Sequence, residues 1–183
     1  MKVSLNKIKS VDSLVDAYKK LDYLFITKDG EDLDIPMLII LQYLGLEEVI
    51  SLLELVEGYE NEKRLLYCDL ISLFKHDLTD ARSINAIDVS RRYALGTATK
   101  EELSNAKKDA DDIINEYKDL HPREFRVSDS LVQLISDEKI NNYRVMFYVF
   151  KSCIVDINNP LYKDFNSKHT LNNIYNIFFK HLS

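Results

Sequence analysis

The chain has 183 residues, of which 46% are hydrophobic and 30% are charged, with only four glycines and three prolines. This composition is typical of an ordinary globular protein that can bury a substantial core in one domain. A formal net charge of −6 argues against generic binding to nucleic acid or to an anionic membrane, because both require a positive electrostatic field.

Helical periodicity begins near the N-terminus. Ser10 is a predicted N-cap for a first helix over residues 11–25, which carries apolar side chains on one face. The Lys28-Asp29-Gly30 turn follows, so a short hairpin that includes residues 23–27 is the lesser alternative. A second helix, almost wholly apolar, is predicted from Pro36 to Leu44, since proline favours the first helical turn.

Three glycines separate the helices of the middle region. Gly45 and Gly58 bracket a third predicted helix, and a fourth follows over residues 60–75. Glycine just past a helix end adopts the left-handed conformation that other residues resist. Ser83 is predicted to cap a fifth helix that Gly96 closes. Thr99 and Glu102 form a capping box that begins a sixth helix, with an apolar stripe through Ala106 and Ala110.

The remaining chain also has a helical pattern. His121 and Pro122 end the sixth helix, and the segments SDSLVQLIS and INNYRVMFYVFKSCIVDI each predict a helix before a closing helix over residues 170–182. No segment alternates convincingly with period two. The fold class predicted is all-α, a compact irregular helical bundle or a short array of helical hairpins with about eight or nine helices.

A single domain over residues 1–183 is predicted, with three regions inside it. Residues 1–44 form an alternative N-terminal subdomain, residues 45–117 a central core, and residues 118–183 a set of aromatic C-terminal helices. The N-terminus MKVSLNKIKS lacks the apolar core of a signal peptide, and no apolar run is long enough to cross a membrane. Cys68 and Cys153 lie on apolar helix faces and are expected to be buried free thiols, which favours a cytoplasmic protein.

The stretch from Asp80 to Asn105, DARSINAIDVSRRYALGTATKEELSN, follows a helix that contains RLLYCDLISLF. Together these segments resemble the core of a helical family found in phages and mobile elements and among predicted immunity proteins of bacterial toxin systems. The resemblance covers residues 45–117 and implies a piece of helical fold and a genomic setting rather than a chemistry. Family members often continue with alanine-rich repeats, whereas aromatic and Asn-rich segments follow here, so no particular partner is carried over.

The best cluster for metal chemistry is His76, Asp77 and Asp80, at a junction between two predicted helices. The alternative function drawn from it is a small metal-dependent helical hydrolase. Aspartate and histidine are also frequent at such junctions, and this ordinary interpretation is favoured. Two interpretations are also open for the arginines at positions 82, 91 and 92. Either Asp80 orients Arg82 while Arg91 or Arg92 pairs with Asp88 or Glu102, or the arginines belong to a contact surface.

The charge distribution leads to the functional hypothesis. Residues 118–183 contain nine basic and seven acidic side chains, so they carry +2 and residues 1–117 carry −8. The hypothesis is a non-enzymatic module, without cofactor or metal, that binds a basic protein such as a nuclease or toxin. It would act as an anti-defence inhibitor or as an immunity protein in a bacterial cytoplasm. The predicted partner-binding residues are Glu47, Glu48, Glu54, Glu57, Asp109, Asp111, Asp112 and Arg82.

Overall fold

A computed structural model describes residues 1–25, 32–73, 75, 78–117 and 167–183. Helices contain 77% of these residues, and the only β-structure among them is one short pair of strands. The all-α prediction is therefore confirmed. Within the described ranges, no helix is both long and apolar enough to span a membrane.

Short helices dominate the first third of the chain, and longer ones follow. Short 3-10 turns at Asp12–Leu14 and Leu53–Leu55 adjoin α2 and α4. The helices are α1 Leu5–Lys9, α2 Val15–Phe25, α3 Met37–Tyr43, α4 Leu46–Leu52, α5 Glu60–Ser72, α6 Ala81–Ala94, α7 Lys100–Tyr117 and α8 Ser167–Leu182, and the strands are β1 Lys2–Ser4 and β2 Asp34–Pro36.

The chain divides into two compact units. The N-terminal unit comprises Met1–Tyr59 and Phe178–Ser183, and the helical unit comprises Glu60–Ile177. The predicted regions had their boundaries at residues 44 and 117, and both the single domain and the three-region division stay predictions. The two predicted helices between residues 118 and 166 lie outside the described residues, as do His121, Pro122 and Cys153.

In the N-terminal unit, β1 and β2 pair antiparallel, with Val3 opposite Ile35. Both of these side chains are almost fully buried, so the ribbon supplies part of the unit's apolar core. The backbone amide of Leu5 extends the contact by donating to the carbonyl of Leu33 at 2.9 Å. Neither strand was predicted, because three residues are too few to display a period-two pattern.

The prediction that Ser10 begins the first long helix is wrong. Ser4 caps a preceding helix, α1, by accepting from the amide of Lys7 at 3.2 Å, and Ser10 is the C-cap residue of that helix. The predicted helix over residues 11–25 consists of a 3-10 turn followed by α2. Ser10 donates its hydroxyl to the carbonyl of Lys7 at 2.7 Å, so it satisfies a helix end rather than a helix start.

In the helical unit, α6 packs against both α5 and α7. Ala106 and Ala110 lie buried on α7, where small side chains allow close helix approach. Arg64 of α5 is also buried, donating to the Ser90 hydroxyl at 3.4 Å and lying 5.2 Å from the Tyr93 ring centroid. These contacts with α6 give a buried guanidinium the polar and aromatic surroundings that it requires.

Ser83 does not cap α6 as predicted. It is fully buried within the first turn, and the cap is Asp80, which accepts from the amide of Arg82 at 2.8 Å. The helix therefore begins at Ala81, three residues before the predicted start. Aspartate is as effective a cap as serine and adds a favourable negative charge at the helix N-terminus.

Candidate protein-contact surface on the α6–α7 hairpin

Arg82 joins the first turn of α6 to the last turn of α7. Its Nη2 atom lies 2.7 Å from Asp80 Oδ2 and 2.6 Å from Glu116 Oε2, and its Nη1 atom lies 3.1 Å from Glu116 Oε1. Hydrogen bonds from Glu116 and Asp80 raise the pKa of Arg82, and the same guanidinium lowers the pKa of Glu116. Paired N–H groups meeting both oxygens of a carboxylate make the Glu116 contact directional.

Arg92 forms the corresponding link at the other end of the hairpin. Its Nε atom lies 3.0 Å from Asp88 Oδ2, and its Nη1 atom lies 3.0 Å from Glu102 Oε1. Glu102 also accepts from the amide of Thr99 at 2.7 Å, while the Thr99 hydroxyl accepts from the amide of Glu102 at 3.1 Å. The predicted capping box is thus confirmed. The Thr99 amide and the Arg92 guanidinium lower the pKa of Glu102.

These contacts hold the antiparallel helices together at both ends. We call the contacts of Arg82 with Asp80 and Glu116 the Arg82 clamp, and those of Arg92 with Asp88 and Glu102 the Arg92 clamp. The structure confirms that Asp80 orients Arg82 and that Arg92 pairs with Asp88 and Glu102. Arg91 instead pairs with Asp69 of α5, with 2.5 Å between Nη1 and Oδ1. The role of Arg82 in binding a partner stays a prediction, and its side chain is 36% exposed while holding the clamp.

Acidic side chains occupy one sector of α7. At about 100° per residue, the sector spans about 100° around the helix and about 22 Å along it, and none of the α7 lysines lies within it. We call this set the α7 acidic stripe: Glu101, Glu102, Asp109, Asp112 and Glu116. Glu102 and Glu116 hold the clamps, whereas Glu101, Asp109 and Asp112 make no ion pair in the part of the chain that the structure describes.

The structure separates the three aspartates that the sequence had grouped on α7. Asp112 is exposed and Asp109 is half-buried, and the two lie about 60° apart on the stripe. Asp111 lies about 200° from Asp109, on the other flank of the helix. Asp111 consequently belongs to a different surface, although it is adjacent to Asp112 in sequence.

The other predicted acidic residues lie in the N-terminal unit. Glu48 of α4 lies 3.8 Å from Lys20, and Glu57 lies 2.8 Å from Lys7. Two of these carboxylates are therefore partly neutralised by lysines of their own unit. Glu54 is exposed in the 3-10 turn after α4. Glu47 belongs to α4, but its side chain is not among those that the structure describes.

The residues proposed for metal chemistry are only partly described. Asp80 caps α6 and pairs with Arg82, while His76 and Asp77 lie outside the described residues. Among the described residues, no group of three or more His, Cys, Asp or Glu side chains has a geometry that could hold a metal ion.

Cys68 is a buried free thiol, as predicted. Its Sγ atom donates to the carbonyl of Ile87 at 3.8 Å, and burial raises its pKa to about 11. Because the thiolate is the nucleophilic form, this side chain is unreactive near neutral pH. Its contact with α6 is a packing contact between helices.

Comparisons with protein-family models, with curated proteins and with solved structures find no match for this chain. The resemblance of residues 45–117 to phage and immunity proteins therefore stays a prediction. The geometry of α6 and α7 is the physical basis for a proposal about function.

Proposed function

We propose that this protein is a non-enzymatic binding module that docks onto a basic protein surface through the α7 acidic stripe. The observation that carries the proposal is the position of Glu101, Asp109 and Asp112. They lie in one sector of a helix, with the nearest α7 lysine, Lys108, about 20° outside it, and they make no ion pairs with other described residues. Their charge is therefore available to a partner.

The hairpin is suited to this task because its helix ends are fixed. Arg82 and Arg92 link α6 to α7 at opposite ends, so the spacing of the stripe is set before any partner binds. A binding surface that is already ordered loses less conformational entropy on association. The clamps thus favour a preformed contact surface over one that folds on binding.

The chemistry of the stripe defines the partner as a protein with a basic face, such as a nuclease or a toxin. Charge complementarity accelerates encounter and rejects surfaces of the wrong sign. The net charge of −6 is consistent with such a partner. Together with the resemblance to phage and immunity proteins, it favours an inhibitor of a bacterial defence protein, or a toxin-neutralising immunity protein, acting in a bacterial cytoplasm.

A matched pair of charge reversals tests this proposal. The tagged protein captures partners from the lysate of its native host at about 0.15 M ionic strength, where exposed charges more than about 8 Å apart are largely screened from one another. A basic protein should be retained by the wild type, retained less by Asp112→Lys, and retained as in the wild type by Asp111→Lys. These two substitutions make the same charge change one residue apart, on different flanks of α7.

The purified partner then decides between binding and catalysis. Stoichiometric inhibition of its activity by the wild type, weakened by Asp112→Lys alone, supports the proposal. The proposal is wrong if the Asp112→Lys variant binds the partner normally while His76→Ala or Asp80→Ala, in folded protein, abolishes the effect of this protein on the partner. In that case the module is an enzyme. Circular dichroism on each variant separates loss of activity from loss of fold.

A further inference from the structure

The helical unit contains an open cavity of about 420 Å³ at the end of α5 and along α6. Its volume falls within the range of about 300–1000 Å³ typical of small-ligand sites. Its lining residues contain apolar, cationic and hydroxyl side chains that the α7 acidic stripe does not use. The described lining residues are Ser72, Lys75, Ile84, Ile87, Asp88 and Arg91.

The charged lining residues differ in what they can offer a ligand. Asp88 accepts from Arg92 at 3.0 Å, and it shares that guanidinium with Glu102. Arg91 pairs with Asp69 through Nη1, which leaves its other N–H donors for a further acceptor. Lys75 is exposed and makes no ion pair among the described residues. Among the described lining residues, Lys75 is therefore the cation without an ion pair, in a protein whose overall charge is negative.

The other lining residues favour an apolar ligand body. Ile84 is half-buried and Ile87 is buried, so both contribute hydrocarbon surface to the cavity. The Ser72 hydroxyl already donates to the carbonyl of Cys68 at 2.6 Å, so its hydrogen is not free for an anion. A dianion such as phosphate would meet the neighbouring carboxylates of Asp69 and Asp88, and among the described lining residues Lys75 alone is a cation without an ion pair to offset its charge.

We propose that this cavity binds a small monoanionic carboxylate with an aliphatic body. The carboxylate lies between the Lys75 ammonium and the free N–H groups of Arg91, and the hydrocarbon lies against Ile84 and Ile87. This site is separate from the protein-contact function proposed for the α7 acidic stripe. Loss of one does not entail loss of the other.

Methyl NMR of the full chain with labelled isoleucines tests the site directly. Hexanoate is titrated against hexanamide, which has the same hydrocarbon body without the charge. Saturable shifts are expected at Ile84 and Ile87, with little change at Ile8 or Ile40 in the N-terminal unit. The dissociation constant for hexanoate should be on the order of 1 mM, as expected for a ligand of this size.

Variants at Lys75 test whether its ammonium group binds the carboxylate of the ligand. Lys75→Glu and the milder Lys75→Gln should each weaken hexanoate binding, by about fivefold or more for the reversal, and leave the weak hexanamide response unchanged. Lys108→Glu, an equal reversal at an exposed position of α7, should bind as the wild type does. The Gln variant provides the readout if the reversal fails to fold.

Five results would overturn the proposal, the first four of them from the titrations of the small ligands. These four are equal binding of hexanoate and hexanamide, equal weakening by Lys75→Glu and Lys108→Glu, tighter binding of inorganic phosphate than of hexanoate, and an absence of saturable shifts at Ile84 and Ile87. Response to a peptide with an acidic C-terminus but not to hexanoate would also contradict it, because the occupant would then be a protein segment.

Discussion

Gly96 connects the two helices of the hairpin in a conformation that few residues can adopt. Its φ angle is +73°, and its amide donates to the carbonyl of Tyr93 at 3.0 Å. A Cβ atom added here would have nothing within 4 Å, so the constraint comes from the backbone and not from crowding. The sequence prediction that Gly96 closes this helix in the left-handed region is confirmed.

Substitution of Gly96 should therefore lower the stability of the protein through backbone strain alone. We expect Gly96→Val to lower the free energy of unfolding by about 1–2 kcal/mol, because a β-branched residue is strained at positive φ. Gly96→Asn should cost less, since asparagine tolerates this region. Urea denaturation measures both, and equal stability of the Val variant and the wild type would contradict the assigned geometry.

The capping residues show what local sequence can and cannot predict. Thr99 and Glu102 were predicted correctly because the capping box is a pattern of four consecutive residues. Ser10 and Ser83 also resemble caps, but Ser10 ends α1, which Ser4 caps, and Asp80 rather than Ser83 caps α6. For Ser83, a better-placed capping residue lies three positions earlier. At the start of the 3-10 turn before α2, the N-cap position is Val11, which makes no side-chain cap hydrogen bond, so tertiary packing overrides the local pattern there.

At the scale of helices, the α6–α7 hairpin is held by side chains that are distant in sequence. Glu116 meets Arg82 across 34 positions, a contact that depends on the alignment of the two helices. The sequence predicted both helices but not this pair. It did contain enough information to separate Asp111 from Asp112, because helical spacing alone places them about 100° apart. The pairing of β1 with β2 is nonlocal in the same way.

The clamp at Glu116 predicts a pH dependence of stability. Arg82 lowers the pKa of Glu116 below its ordinary value of 4.5 in the folded protein. The stabilisation is therefore complete above that value and is lost as pH falls through the lower, folded-state pKa. Glu116→Gln lacks this contribution, so its stability should be lower near neutral pH and should fall less steeply on acidification.

Urea midpoints measured between about pH 6 and pH 3 test this expectation. Glu101→Gln is the matched control, since it removes an α7 carboxylate that makes no ion pair among the described residues. The urea midpoint of this control should fall with decreasing pH as steeply as that of the wild type. Identical pH profiles for Glu116→Gln and the wild type would show that the Arg82 clamp does not form in solution.

Helix accounts for 77% of the described residues. The sequence pattern predicts further helices in residues 118–166, so the complete chain should be more than about 60% helical, against an average near one-third. Far-ultraviolet circular dichroism of the 183-residue protein measures this fraction. A spectrum dominated by β-structure would contradict the all-α assignment for the complete chain.

The distribution of charge over the molecule supports one contact surface more strongly than the other candidates. In the N-terminal unit, Glu48 and Glu57 already pair with lysines, whereas Glu101, Asp109 and Asp112 do not pair with described residues. Apart from Glu101, these residues belong to one predicted contact set, because the sequence does not reveal ion pairing, which depends on the tertiary fold. The α7 acidic stripe is therefore the surface on which the functional proposal depends.

The association rate with the captured basic partner, measured against ionic strength, tests this proposal most directly. Relative to the wild type, the double variant Asp109→Lys, Asp112→Lys should associate at least about tenfold more slowly at low salt. That difference should shrink as salt screens the charges. At an ionic strength of about 0.15 M, the association rate of Asp111→Lys should be much closer to that of the wild type. Equal rates and equal salt dependence for the wild type and the double variant would contradict the proposed role of the α7 acidic stripe.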